Sequence, residues 1–167
     1  MSGETIIMGI DPGLKVTGWG VIKKLRAKDI YISHGFISTK SSDSLGQRLN
    51  QIFEEINDQL RIFNPNSMAI EKIFANKNPE STLKLGKARA MIFLAAAREK
   101  LEISEYSPNT IKKNLVGYGH ANKIQILQMI KRIFPNILID NEDAGDALAV
   151  AICHSMQFQS KIRHYSQ

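Results

Sequence analysis

Cysteine is nearly missing from this chain: Cys153 is the only one in 167 residues. No disulfide can form within it, which suits a reducing compartment and leaves non-covalent packing to hold the fold. Long apolar runs are missing as well. No stretch approaches the ~20 apolar residues that cross a bilayer. The opening Met-Ser-Gly-Glu-Thr-Ile-Ile-Met has neither the basic start nor the apolar core of a signal peptide. The expectation is a cytoplasmic protein without membrane contact. Repeats and low-complexity linkers are also absent, so one domain is expected over residues 1–158, followed by a flexible basic tail over 159–167. A chain of this length can bury a full core, and its 43% hydrophobic and 23% charged residues are ordinary for a globular protein.

Acids are in the minority: 16 Asp and Glu face 22 Lys and Arg, a formal charge of +6. Any acids gathered into one site would leave the remaining surface more basic still. That form suits a polyanion held broadly and processed locally. A basic surface that only aids solubility would look the same from charge alone.

Between Ile6 and Lys24, two β-branched runs flank Pro12-Gly13, which predicts a strand, a tight turn and a second strand. Ile30 to Ser38 predicts a third. Leu45, Leu49, Ile52, Phe53, Ile56, Leu60 and Phe63 recur at helical spacing, and Pro65 stops that helix. Ser67 to Glu71 reads as a short buried strand. A loop from Phe74 to Pro79 then leads to a helix through Lys100, and Ile103 to Tyr106 gives another strand. Helices over Asn109 to Leu115 and Asn122 to Phe134, separated by Gly117-Tyr118-Gly119, precede a last long helix that starts within Asn141 to Asp146. Strands first, then strands and helices in alternation, predict an α/β fold with a mixed central β-sheet flanked by helices. Sites in such sheets form outside the carboxyl ends of the strands. Asp11 and Glu71 both sit at such ends.

Taken singly, each acid has a local explanation. Asp11 precedes a Pro-Gly turn, Glu71 could be an exposed strand end, and acids at 142, 143 and 146 suit a helix N-terminus. Taken together they are harder to dismiss. Two carboxylates about 5 Å apart repel by roughly 3 kcal/mol at an effective dielectric near 20. Divalent cations reverse that sign: Mg²⁺ takes hard oxygen ligands, and two such ions serve phosphodiester cleavage. Asp143 and Asp146 share one helix face by their spacing. Glu142 is an additional acid for which capping is the simpler role.

Gly9-Ile10-Asp11-Pro12-Gly13 with Thr17-Gly18-Trp19-Gly20-Val21-Ile22 resembles the first-strand motif of the RuvC family of Holliday-junction resolvases. Ala69-Ile70-Glu71-Lys72-Ile73-Phe74 resembles its second acidic motif. The segment Asn78 to Arg89, then Val116-Gly117-Tyr118-Gly119 and Asp143-Ala144-Gly145-Asp146-Ala147-Leu148-Ala149, complete the pattern in order over nearly the whole chain. The resemblance implies an RNase H-like fold, a homodimer and metal-dependent nicking of four-way DNA junctions beside the RuvA–RuvB branch-migration complex. It carries four catalytic, metal-binding carboxylates onto Asp11, Glu71, Asp143 and Asp146, with two Mg²⁺ ions per site and Mn²⁺ as a substitute. Some members have His where this chain has Asp143; the acid here favours oxygen-rich coordination.

By the same resemblance Phe74 is expected to stack at the junction crossover, against a rival role as a core aromatic. Lys112 and Lys123 are expected near the scissile phosphate, with Lys113 an alternative to Lys112. Lys77, Lys84, Lys87 and Arg89 are expected to contact phosphates. Ala95-Ala96-Ala97 is a candidate for close helix approach across a dimer, with burial against the sheet as the rival. Two other functions stay open: an RNase H-like nuclease acting on structured RNA or other branched DNA, and a non-catalytic junction-binding module. An actin-like kinase, suggested by Gly-x-Asp-x-Gly after a first strand, needs a far longer chain.

Overall fold

Residues 4–73 and 78–164 are described by the structure, a computed structural model, with side chains as far as Gln157. Phe74 and Lys77 lie outside the described residues, so the roles expected of them have no structural counterpart below.

Strands β1 (Thr5–Asp11), β2 (Val16–Lys24) and β3 (Asp29–Ser38) form an antiparallel meander. Helix α1 (Leu45–Phe63) leads to β4 (Ser67–Glu71), and α2 (Pro79–Arg98) leads to β5 (Ile103–Tyr106). Strand β4 runs parallel to β1, and β5 parallel to β4, giving the order β3-β2-β1-β4-β5. Three helices follow: α3 (Pro108–Val116), α4 (Lys123–Ile133) and α5 (Glu142–His164). The expected mixed sheet flanked by helices is therefore present.

Local chemistry sets the element ends. Ser44 and Gln47 form a reciprocal capping box at the start of α1, and Asn122 and Gln125 form another at α4. Asn64 closes α1 in the left-handed region at φ 44°. Helix α2 stops at Arg98, short of the expected Lys100, because Lys100 itself adopts φ 57°. The backbone of α5 continues to His164, into the stretch read from sequence as a loose tail.

The sheet separates two cores. Ile7, Ile22 and Ala69 pack with residues of α3, α4 and α5, while Met8, Ile10, Val21, Met68 and Ile70 pack with α1 and α2. Side chains alternate between these faces along each strand. Counting from Ile7 and Ala69 by twos puts Asp11 and Glu71 on the α5 face. The parallel register pairs Ile10 with Ile70, so these two acids leave adjacent strand ends side by side.

Helix α5 lies almost directly on strand backbone. A Cβ on Gly9 would stand 2.2 Å from the Ala147 carbonyl oxygen, and one on Gly18 would stand 2.0 Å from that of Asp143. Only glycine permits so close an approach. The same register pairs Asp11 with Gly18, which brings the first turn of α5 over the end of β1.

Candidate active site

Three elements deliver the four expected carboxylates. Asp11 ends β1, Glu71 ends β4, and Asp143 and Asp146 stand on the first turns of α5. The turn after Asp11 is held by Thr17, whose hydroxyl donates to the Gly13 carbonyl at 2.7 Å. Arg48 reaches the same turn from α1, donating to the Leu14 carbonyl at 3.2 Å and to the Thr39 hydroxyl at 2.9 Å.

The cap of α5 is Asn141, whose Oδ1 accepts from the Ala144 N–H at 3.0 Å. The backbone carbonyl of Asn141 accepts from Gly145 at 3.1 Å. Capping therefore does not require Asp143 or Asp146. Glu142, for which capping was expected, accepts a hydrogen bond from Lys123 at 3.2 Å instead.

The acids act on one another. Burial, then the charges of Asp146, Glu71 and Asp143, push Asp11 from its ordinary 3.8 to about 8. Burial and Asp146 raise Glu71, against the opposing charges of Lys112, Arg89 and Lys123. Burial also raises Asp146, although Lys123 pulls it back. The Nζ of Lys123 lies 3.3 Å from Asp146 Oδ2, and Asp146 in turn holds Lys123 above its usual range.

Glu71 and Asp146 open onto a cleft of about 230 Å³ walled by Pro108, Ile111, Lys112, Lys123, Ile126 and Ala149. Lys112 lines this cleft, whereas Lys113 is exposed near the end of α3. Of the two, Lys112 is the one that lines the cleft.

Among the described residues, no three acid, histidine or cysteine side chains close into a ready-made metal cage. A hydrated Mg²⁺ needs none, since it keeps several waters and takes one or two carboxylates plus substrate phosphate. The donor set fits such an ion. Every candidate ligand is a carboxylate oxygen, and the burial and then the repulsion that push Asp11 up to about 8 both disfavour a charge that a divalent cation would favour. Cys153 is no rival nucleophile: it is buried, and burial pushes its thiol up to about 11.

The basic residues divide. Lys84 and Lys87 are exposed on α2, Lys84 pairing with Glu80 at 2.6 Å. Arg89, expected to contact phosphates, is 8% exposed. Its guanidinium donates to the Glu71 backbone carbonyl and, at 2.5 Å, to Glu105 Oε2. That expectation is corrected: the residue is spent inside the chain. A sequence signal was present, because Arg89 lies within the helical stripe of Ala88, Ile92, Ala95 and Ala96 that faces the core. Ala95 and Ala96 are buried in the chain's own core and are not available to a partner, while Ala97 is exposed.

A family model described as crossover junction endodeoxyribonuclease RuvC matches residues 7–154. The chain is 43% identical over 165 residues to the crossover junction endodeoxyribonuclease RuvC of Bartonella quintana, covering 98% of this chain and 97% of that one. It is 45% identical over 150 residues to its counterpart from Wolbachia sp. subsp. Drosophila simulans, covering 89% and 93%. Among solved structures, Thermus thermophilus RuvC in complex with Holliday junction substrate superposes with a TM-score of 0.89 at 26% identity, over 94% of this chain and 96% of that one. The fold is RNase H-like, as the resemblance implied.

Proposed function

The chain belongs to the RuvC family of crossover junction endodeoxyribonucleases, and on that premise we propose that Asp11, Glu71, Asp143 and Asp146 are its catalytic, metal-holding carboxylates. The protein is a Holliday-junction resolvase, a phosphodiester hydrolase of recombination and repair with its family's metal dependence. The observation that carries the residue assignment is electrostatic. Asp146, Glu71 and Asp143 all raise the pKa of Asp11, although the four acids come from three separate elements.

Asp11, Glu71, Asp143 and Asp146 would hold two Mg²⁺ ions, with Mn²⁺ as a substitute, which when bound would supply water activation and charge relief at the leaving oxygen. Asp11 and Glu71 hold their side from rigid strand ends, and Asp143 and Asp146 hold the other from α5. Lys112 and Lys123, on the cleft wall, take the scissile phosphate and orient it towards the acids. The apolar wall of Ile111, Ile126 and Ala149 limits water to the open side of the cleft.

Lys84 and Lys87 on the exposed face of α2, and Lys77 ahead of it, steer the duplex arms by phosphate contact. Phe74 stacks at the crossover, an interaction worth roughly 1–3 kcal/mol. Residues 1–158 constitute the nuclease domain. It acts as a homodimer in the cytoplasm beside the RuvA–RuvB complex, as the family does. A four-way junction has approximate two-fold symmetry, and an isologous dimer presents two equal sites to opposed strands. The surface of α2 that carries exposed Leu83 and Leu94, with Phe93 at its border, supports a second copy there.

The test is cleavage of a four-way junction, a linear duplex and a structured RNA of matched length in Mg²⁺, with binding measured in Ca²⁺. Paired nicks in the junction alone support the reading. Equal cutting of the RNA or the linear duplex overturns it.

A further inference from the structure

Arg89 is the only buried arginine among the described residues, and neither the cleft nor a DNA surface uses it. It reaches the sheet from the α2 side, opposite the face that bears the acids. One arm donates to the backbone carbonyl of Glu71, and the other donates to Glu105 Oε2 at 2.5 Å. The guanidinium also lies 5.5 Å from the centroid of the Phe93 ring. Glu105 sits beside Ile70 in the parallel register, one strand over from the acid it helps to hold.

The location matters because the sheet runs out here. Glu71 is the last residue of β4, and beyond it the backbone bond from Lys72 N–H to the Tyr106 carbonyl is the next link to β5. At that end Arg89 adds a side-chain bond to the Glu71 carbonyl, beyond the backbone links to β5. A site that works by placement loses rate when one group moves by a fraction of an ångström. A planar guanidinium with two fixed donors holds the carbonyl and Glu105 together, which a point charge cannot do.

We infer that Arg89 is the positioning residue for Glu71, fixing the end of β4 from the far side of the sheet so that the carboxylate meets Asp11 and Asp146 at the separation an ion requires. The inference rests on the reading of Glu71 as a metal-holding group. It assigns Arg89 no contact with DNA.

The test compares wild type with Arg89→Lys and Glu71→Gln, by Mn²⁺ binding to DNA-free protein, junction affinity in Ca²⁺, kcat and KM for cleavage, and melting temperature. Arg89→Lys should weaken Mn²⁺ binding and lower kcat by about 10–100-fold, with junction affinity unchanged. Arg89→Ala should regain part of its Mn²⁺ affinity on addition of guanidinium at a concentration too low to denature. If Arg89→Lys does not fold, Glu105→Gln, which keeps an acceptor but removes its charge, should show a smaller loss of the same kind. A lower melting temperature with unchanged Mn²⁺ affinity and kcat would overturn the inference, as would a loss confined to junction affinity. Glu71→Gln separates the two readings. If it binds Mn²⁺ as tightly as wild type, the ligand assignment falls and the clamp falls with it. If it binds weakly while Arg89→Lys binds normally, the clamp alone falls.

Discussion

Lys123 and Asp146 face each other at 3.3 Å, yet Asp146 still has its pKa raised, because burial outweighs the lysine. Its charged form is therefore net unfavourable in the metal-free protein. Asp146→Asn should abolish junction cleavage, leave junction binding intact, and keep or raise the metal-free melting temperature. A clear fall in that temperature would return Asp146 to a structural role. Asp11 gives a pH-dependent counterpart. Its folded pKa of about 8 lies above its ordinary 3.8, so between those values the folded state holds a proton that the unfolded chain has released. Stability must fall as pH rises through that window, and level off above it. Thermal melts without metal from pH 4 to pH 8 should show this decline, and Asp11→Asn should flatten it. Saturating Mg²⁺ should flatten it too, by favouring the charged form.

At the scale of elements, the contact between α5 and the strand glycines decides where two of the acids lie. A methyl at Gly18 would meet the Asp143 carbonyl at 2.0 Å, and that atom is backbone and cannot rotate away. Gly18→Ala should lift the first turn of α5, cost about 1–3 kcal/mol by urea unfolding, and reduce cleavage at saturating junction. Gly46→Ala, at a position with nothing within 4 Å, should leave the cleavage rate unchanged. Much of this element map was readable in advance. β-branched runs about Pro12-Gly13 predicted the first two strands, the Leu45-to-Phe63 stripe predicted α1, and the acids were expected at strand and helix ends. Periodicity could not show that Asn141 would take over capping, because several residues near Asp143 offer the same chemistry. Nor could residue type place Arg89. Its place in the core-facing stripe of α2 pointed inward, but the carbonyl and carboxylate it meets there belong to the neighbouring strand ends, which periodicity does not place.

For the molecule as a whole, the acids lie at the cleft whereas Lys84 and Lys87 are exposed on α2, so binding and cutting should respond separately to solvent. Junction affinity should fall steeply with added salt through counterion release, whereas the rate at saturating junction should change little. A flat affinity between low and moderate salt would remove the basic surface as the DNA platform. Neutralising Lys84 and Lys87 together, as the glutamine double variant, should reduce the slope of log affinity against log salt and spare kcat. Chain order has a consequence for synthesis. Asp11 and Glu71 leave the ribosome early, but Asp143 and Asp146 follow much later, on α5. On the proposed assignment, a nascent polypeptide stalled before that point would hold two of the four carboxylates and could not assemble the ion-holding cluster, so an unfinished translation product would pose no threat to the genome it was made to mend.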